Sequence, residues 1–273
     1  MSSLAVTDRV LTASARLWFL VAFSGQLIFA VYIAVFYGRA ALNGTPADWN
    51  KVLVHGYSPD TPVGNGVVAA HLLAAFLISL SGALQLVPAV RRLLPRFHRW
   101  NGRVFVISAI TAAFAGLYMM WVRGSAGDLP QHLGITFNAL LVLTFAALAW
   151  RTALARDFKA HRRWALRLFV VTSGIWFYRL GLMLWLMANE GPAGFNPETF
   201  VGPFLTALSF ANALLPLAIM ELYLRAKESA APARAAMAGG LLACTLVMAA
   251  GIFAASAIVW VPNISGTAGG SPF

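Results

Sequence analysis

Charge is scarce in this 273-residue chain. Only 11% of its residues are charged, whereas a soluble domain carries about 25%. Asp and Glu together number 9 against 20 Lys and Arg, and 60% of the chain is hydrophobic. With a mean hydropathy of +0.74, too little polar surface remains to cover a water-facing globule or to keep a chain disordered. Cys244 is the only cysteine, which excludes an intrachain disulfide and any cysteine-built zinc or iron–sulfur centre. The phosphate-binding and dinucleotide glycine fingerprints are missing, as are His-Glu-x-x-His and Gly-x-Ser-x-Gly. No paired carboxylates interrupt the apolar runs, which disfavours a common proton-driven pump or antiporter.

What the chain has instead is long apolar runs. A spanning helix needs roughly 20 of them in a row, and seven stretches qualify: 17–37, 67–90, 102–122, 132–151, 164–188, 203–224 and 237–261. The first is too long for a signal-peptide core and is read as a retained helix. The expected fold is an all-α integral membrane protein with seven transmembrane helices. The N-terminus and the 91–103, 151–167 and 225–236 connections hold 16 of the 20 basic residues. The opposite set of segments holds Arg39, Lys51 and Arg123, and Arg179 falls within a run. That asymmetry predicts a cytoplasmic N-terminus and an external C-terminus. It also explains the net charge of +11 as a topology signal in contact with lipid rather than a nucleic-acid surface. The tail from Pro262 reads as loose. Glu221 and Arg225 have the spacing of an ion pair on one helix, and Gln85 that of an interhelical hydrogen bond.

An internal repeat carries four of the five histidines. His71 opens the second run, and His98 precedes the third in Arg96-Phe97-His98-Arg99-Trp100-Asn101-Gly102-Arg103. His132 opens the fourth run, and His161 precedes the fifth in Ala160-His161-Arg162-Arg163-Trp164-Ala165-Leu166-Arg167. In both copies an Arg follows the Trp by three residues. Residues 67–122 and 132–188 thus read as parallel repeats of a two-helix hairpin, giving a four-helix core. The pattern places His71 with His132 at one membrane face and His98 with His161 at the other.

Imidazole pairs on facing helices suit the two axial positions of haem b, and two such haems would let an electron cross the bilayer. Gly82 and Gly116 lie near the faces of His71 and His98 at about 100° per residue, where a flat macrocycle needs little bulk. Arg99, Arg103, Arg162, Arg163 and Arg167 on one side and Arg179 on the other are candidate partners for haem propionates or an anionic donor. The alternatives are simpler: interfacial histidines, basic residues that set topology, and an aromatic belt at Trp100 and Trp164. Copper also favours imidazole.

The two His-Arg turns, with His71 and His132, resemble a large bacterial family of predicted membrane proteins catalogued as domain-of-unknown-function family 2306, over roughly residues 65–225. The resemblance implies a helical protein of the bacterial inner membrane and no particular activity. In arrangement alone, the four histidines are similar to two-haem cytochromes b of the ascorbate-reducing type, which hold haems between the second and fourth and between the third and fifth helices. That likeness implies His71 with His132 and His98 with His161 as ligands of two b-type haems, although the histidines here lie nearer the helix ends. Electrons would pass from a quinol or small reductant. The competing expectation is a non-enzymatic membrane subunit, assembly factor or transporter with structural or copper-binding histidines.

Overall fold

The computed structural model describes residues 3–268. Among them every regular element is helical, and the one extended pairing is an isolated bridge between Asn196 and Val201. Helix α1 (Ser3–Tyr32) continues through a π-helical stretch, Ile33–Gly38, into α2 (Arg39–Leu42). After a connecting loop come α3 (Pro62–Leu86), the short α4 (Pro88–Leu93), α5 (Pro95–Trp121) and α6 (Leu129–Leu154). Then follow α7 (Phe158–Thr172), α8 (Gly174–Ala188), α9 (Pro203–Ala226) and α10 (Ala231–Ala255). The last runs on through a π turn, Ser256–Trp260, into α11 (Val261–Ser265).

Six of these helices or continuous helical runs are long and apolar enough to cross a bilayer. The α7–α8 pair, bent by 41°, makes a seventh if it is one span. The chain is a multi-pass membrane protein. Large apolar side chains such as Ile107, Phe114, Leu215, Leu246 and Phe253 face outward, while small ones (Ala74, Ala109, Ala146, Ala213, Ala255) are buried between helices. This distribution fits lipid outside and close helix packing inside, because lipid tails supply no hydrophobic drive for large residues to turn inward. α3 packs along α5, α1 along α10, and α6 along α7.

All seven apolar runs are largely helical, although the second is interrupted at the extended Val87 between α3 and α4, and several helices outreach their runs. α1 begins near Ser3 and α3 at Pro62, whose missing N–H suits a first helical turn; polar residues there hide the helix from a hydropathy reading. Pro262 lies inside α11, so the expected loose tail is helical as far as Ser265; residues 269–273 lie outside the described residues. The fifth run is not continuous. At its break the Ser173 hydroxyl donates to the Phe169 carbonyl (2.9 Å) and accepts from Gln26 Nε2 of α1 (3.0 Å), a local bond that competes with the helix ladder. Gly174 admits Asn138 of α6 and Asn212 of α9 so closely that a Cβ there would lie 2.7 Å from an amide atom of each.

Two ends of the bundle follow from the charges. The basic end carries the start of α1, α4, the starts of α5, α7 and α10, and the ends of α6 and α9. The loop end carries residues 43–61, pinned by Arg123, whose guanidinium donates to the His55 carbonyl and to Asn65 Oδ1 (2.8 Å). Below that loop an aromatic core joins Phe29, Tyr32, Tyr37, Trp49, Trp176 and Trp260. A second core, around Phe105, Ala109, Val142, Leu168, Phe169 and Val171, lies among α5, α6 and α7.

Candidate functional site

At the basic end, His98 is the fourth residue of α5 and His161 the fourth of α7. Both helices start at the basic end, and His161 is an electrostatic neighbour of His98. His161 Nδ1 lies 2.9 Å from the Ala149 carbonyl of α6. As the Nδ1–H tautomer it donates there, which leaves Nε2 free; this is how a protein commonly orients an imidazole ligand. His98 Nδ1 is buried with no hydrogen-bond partner. Its backbone carbonyl accepts from Gln85 Nε2 of α3 (3.0 Å), the interhelical bond that the sequence led us to expect.

Around this pair, Arg103 stacks over the Trp100 ring and Arg167 over the Trp164 ring, each guanidinium 4.7 Å from the ring centre. Arg99 and Arg103 are exposed. Trp100 is 66% exposed, whereas Trp164 leans on Phe145. Arg167 also forms an ion pair with Glu221 of α9 at 2.7 Å. The expected Glu221–Arg225 pair is therefore replaced: α9 turns Glu221 toward α7, where a half-buried guanidinium gives it a better partner than a solvated neighbour one turn on. An open pocket of about 400 Å³ beside these residues is lined by Asp157, Lys159, Ala160, Arg163, Trp164 and Arg167.

The loop-end histidines are arranged differently. His71 is the tenth residue of α3, about 14 Å along the helix from Pro62 at 1.5 Å per residue. Its Nδ1 meets the Ala112 carbonyl of α5 at 3.2 Å. Gly116, one turn further on α5, faces it: a Cβ at Gly116 would lie 3.5 Å from His71 Cε1. His132 is only the fourth residue of α6. Its Nε2 lies 3.3 Å from Ser125 Oγ, and its ring meets Trp121 edge-on. Among the described residues, no hydrogen bond, ring contact or electrostatic interaction joins His71 to His132. His71 lies six residues of helix, about 9 Å, further from its helix start than His132 does. Gly82 lies under the rings of Phe105 and Phe169, in the core rather than beside a histidine.

The electrostatic neighbour of His71 is Arg179, the sixth residue of α8. Arg179 is half-buried, its guanidinium lies 5.5 Å from the Phe29 ring centre, and its charge also reaches Tyr32, Tyr37 and Tyr178. Among the described residues it has no carboxylate partner. The tyrosines and Trp176 around it escaped the sequence reading, because aromatic residues in apolar runs look like ordinary lipid-facing or core positions. Among the described residues no group of three or more His, Cys, Asp or Glu converges as a metal site.

Residues 68–195 match the family described as Predicted membrane protein (DUF2306). The resemblance carried by the His-Arg turns stands. That stretch contains all four repeat histidines and Arg179. No curated protein and no solved structure matches the chain.

Proposed function

We propose that this chain is a transmembrane electron-transfer protein that binds b-type haem through its repeat histidines. The observation that carries the reading is the basic-end pair. Each is the fourth residue of a helix that starts at the basic end, and His161 is an electrostatic neighbour of His98; one ring is anchored by a backbone carbonyl with Nε2 spare, and the other has a buried nitrogen without a partner among the described residues. Those two side chains would be the axial ligands of one haem. Exposed Arg99 and Arg103 would partner its propionates, while Arg167 is already engaged by Glu221. His71, with its anchored Nδ1 and Gly116 opposite, would hold a second haem in the loop-end half, with His132 as its other ligand. Haem would supply reversible one-electron chemistry, and the low-dielectric bundle would tune its potential. The chain's own part is to orient the imidazoles and keep water from them.

The matching Arg–Trp stacks at Arg103–Trp100 and Arg167–Trp164 support the duplicated hairpin as the origin of the paired sites. We take α7 and α8 as one bent span, giving seven in a bacterial inner membrane, with the basic end cytoplasmic and the C-terminus outside. A quinol or small reductant is the proposed electron source.

The test is a dithionite-reduced minus oxidised spectrum of protein purified from a haem-sufficient host, with haem quantified per chain. A sharp Soret and α-band pair at about two haems per chain is the expected result; a flat spectrum from folded protein sinks the proposal. A second reading rests on the same two carbonyl bonds: His71 and His161 as interhelical struts of a non-redox subunit, assembly factor or transporter. A colourless protein destabilised by His71→Ala and His161→Ala would favour it, and elemental analysis would separate a copper-binding variant of that reading.

A further inference from the structure

Arg179 is a charge in search of a counter-charge. It sits about 14 Å along α8 from the helix end at Ala188, within a span, with only an aromatic ring against its guanidinium. A cation at such a position is costly unless something pairs with it. Two more donors nearby are unsatisfied. Trp176, one turn before Arg179 on α8, is 5% exposed, and its Nε1–H has no acceptor; its ring reaches α1 at Gly25, beside Ile252 of α10. One turn beyond Ile252, in the π-helical turn that follows α10, Ser256 Oγ is likewise buried and unpartnered. The crevice at these three side chains therefore offers donors and a positive charge, and among the described residues no carboxylate pairs with that charge. It also has a lipid-side approach: Leu20, Val21, Ser24, Gly25, Ala249 and Ile252 line a groove of about 240 Å³ between α1 and α10, ending against Gly25, behind which Trp176 lies.

We propose that this crevice binds a long-chain carboxylate, a free fatty acid, with its head at Arg179, Trp176 and Ser256 and its chain in the α1–α10 groove. Charge complementarity selects the head. A carboxylate matches the guanidinium fork with two charge-assisted hydrogen bonds and can accept from the indole as well. The place of Arg179, below the end of α8, favours a small head that sheds its water over a bulky phosphodiester. The groove supplies apolar contact for a single chain. This site goes beyond the haem reading: Arg179, a candidate propionate partner by sequence, is assigned here to a different anion, and none of the site's residues is a proposed iron ligand.

The test is saturable binding of radiolabelled oleate to the purified full chain in mild detergent, which needs no bound haem as a readout. Wild type is expected to bind about one oleate per chain, and Arg179→Gln to weaken binding at least tenfold. Trp176→Phe, which keeps the ring shape and removes the donor, is expected to weaken it several-fold even if Arg179→Gln proves unstable. Oleyl alcohol, with the same chain and no charge, should not compete. The proposal is overturned by the absence of saturable binding, by equal competition from oleyl alcohol, by unchanged affinity in both variants, or by displacement of oleate by phosphatidylglycerol at equal concentration.

Discussion

The basic end and the loop end of the bundle each hold two of the four repeat histidines, yet they use them differently. At the basic end both histidines are the fourth residue of their helices. At the loop end one is the tenth residue and the other the fourth, and each turns to a different neighbour: His71 to the α5 backbone and Arg179, His132 to Ser125 and Trp121. α3 starts at Pro62, nine residues before His71, whereas α6 starts at Leu129, three residues before His132.

The largest expected effect tests that asymmetry directly. On the haem reading proposed above, His98→Ala and His161→Ala should each remove one haem per chain and leave equal residual spectra, because each would remove half of one bis-imidazole site. His71→Ala should remove the other haem. His132→Ala should instead retain most of that haem and shift it from a low-spin to a high-spin spectrum, since His132 is the less well-placed ligand. Equal loss in His71→Ala and His132→Ala would show that the loop end closes into a symmetric pair when loaded.

Gly82 and Gly116 sharpen the contrast, because the sequence offered both as clearance for a macrocycle. Gly82→Ala would bring a Cβ to 2.9 Å from Phe105 Cε2 and 3.2 Å from Phe169. It should lower thermal stability by about 1–3 kcal/mol through overpacking, with haem content unchanged. Gly116→Ala meets only ordinary contact at His71 and should fold normally. Gly116→Leu should reduce the loop-end haem alone, read as a drop in haem per chain without change in the basic-end spectrum.

Much of the helical architecture was legible in the sequence, because apolar length is a direct requirement of the bilayer. Helix starts were not: Pro62 to Gly66 and the residues before Leu17 are too polar to register as span. The break at Ser173-Gly174 was also hidden, since neither residue dents the hydropathy of the run. Its cause lies in Gln26, Asn138 and Asn212, single polar residues on three other helices whose meeting is a tertiary event. The histidines and Arg179 could be picked out by their rarity in apolar surroundings, but their neighbours could not. The α7–α9 ion pair fell to the same blindness, for sequence offers Glu221 only the partners within a turn of it.

That ion pair gives a smaller effect, confined to the basic end. Glu221→Gln leaves the half-buried Arg167 guanidinium with only the Trp164 ring and should cost about 1–2 kcal/mol, seen as a lower melting temperature in detergent. Glu221→Asp should recover part of it. Arg179 at the loop end has no such carboxylate to lose, so no single acidic substitution there should have a comparable effect.

The smallest expected effect separates charges that hold the bundle from charges that merely mark its side. Arg163 and Glu228 also pair at the basic end, but at 3.5 Å and with side chains 51% and 75% exposed. In water at that exposure the Coulomb gain is screened and the ordering of two long side chains opposes it. Glu228→Gln should therefore change stability by under ~0.5 kcal/mol, although its partner Arg163 is on the same helix as Arg167, the partner of Glu221. A melting temperature lowered as far as in Glu221→Gln would mean that the whole basic face acts as one coupled network, and the contrast between the two ends would then be one of charge organisation as much as of histidine depth.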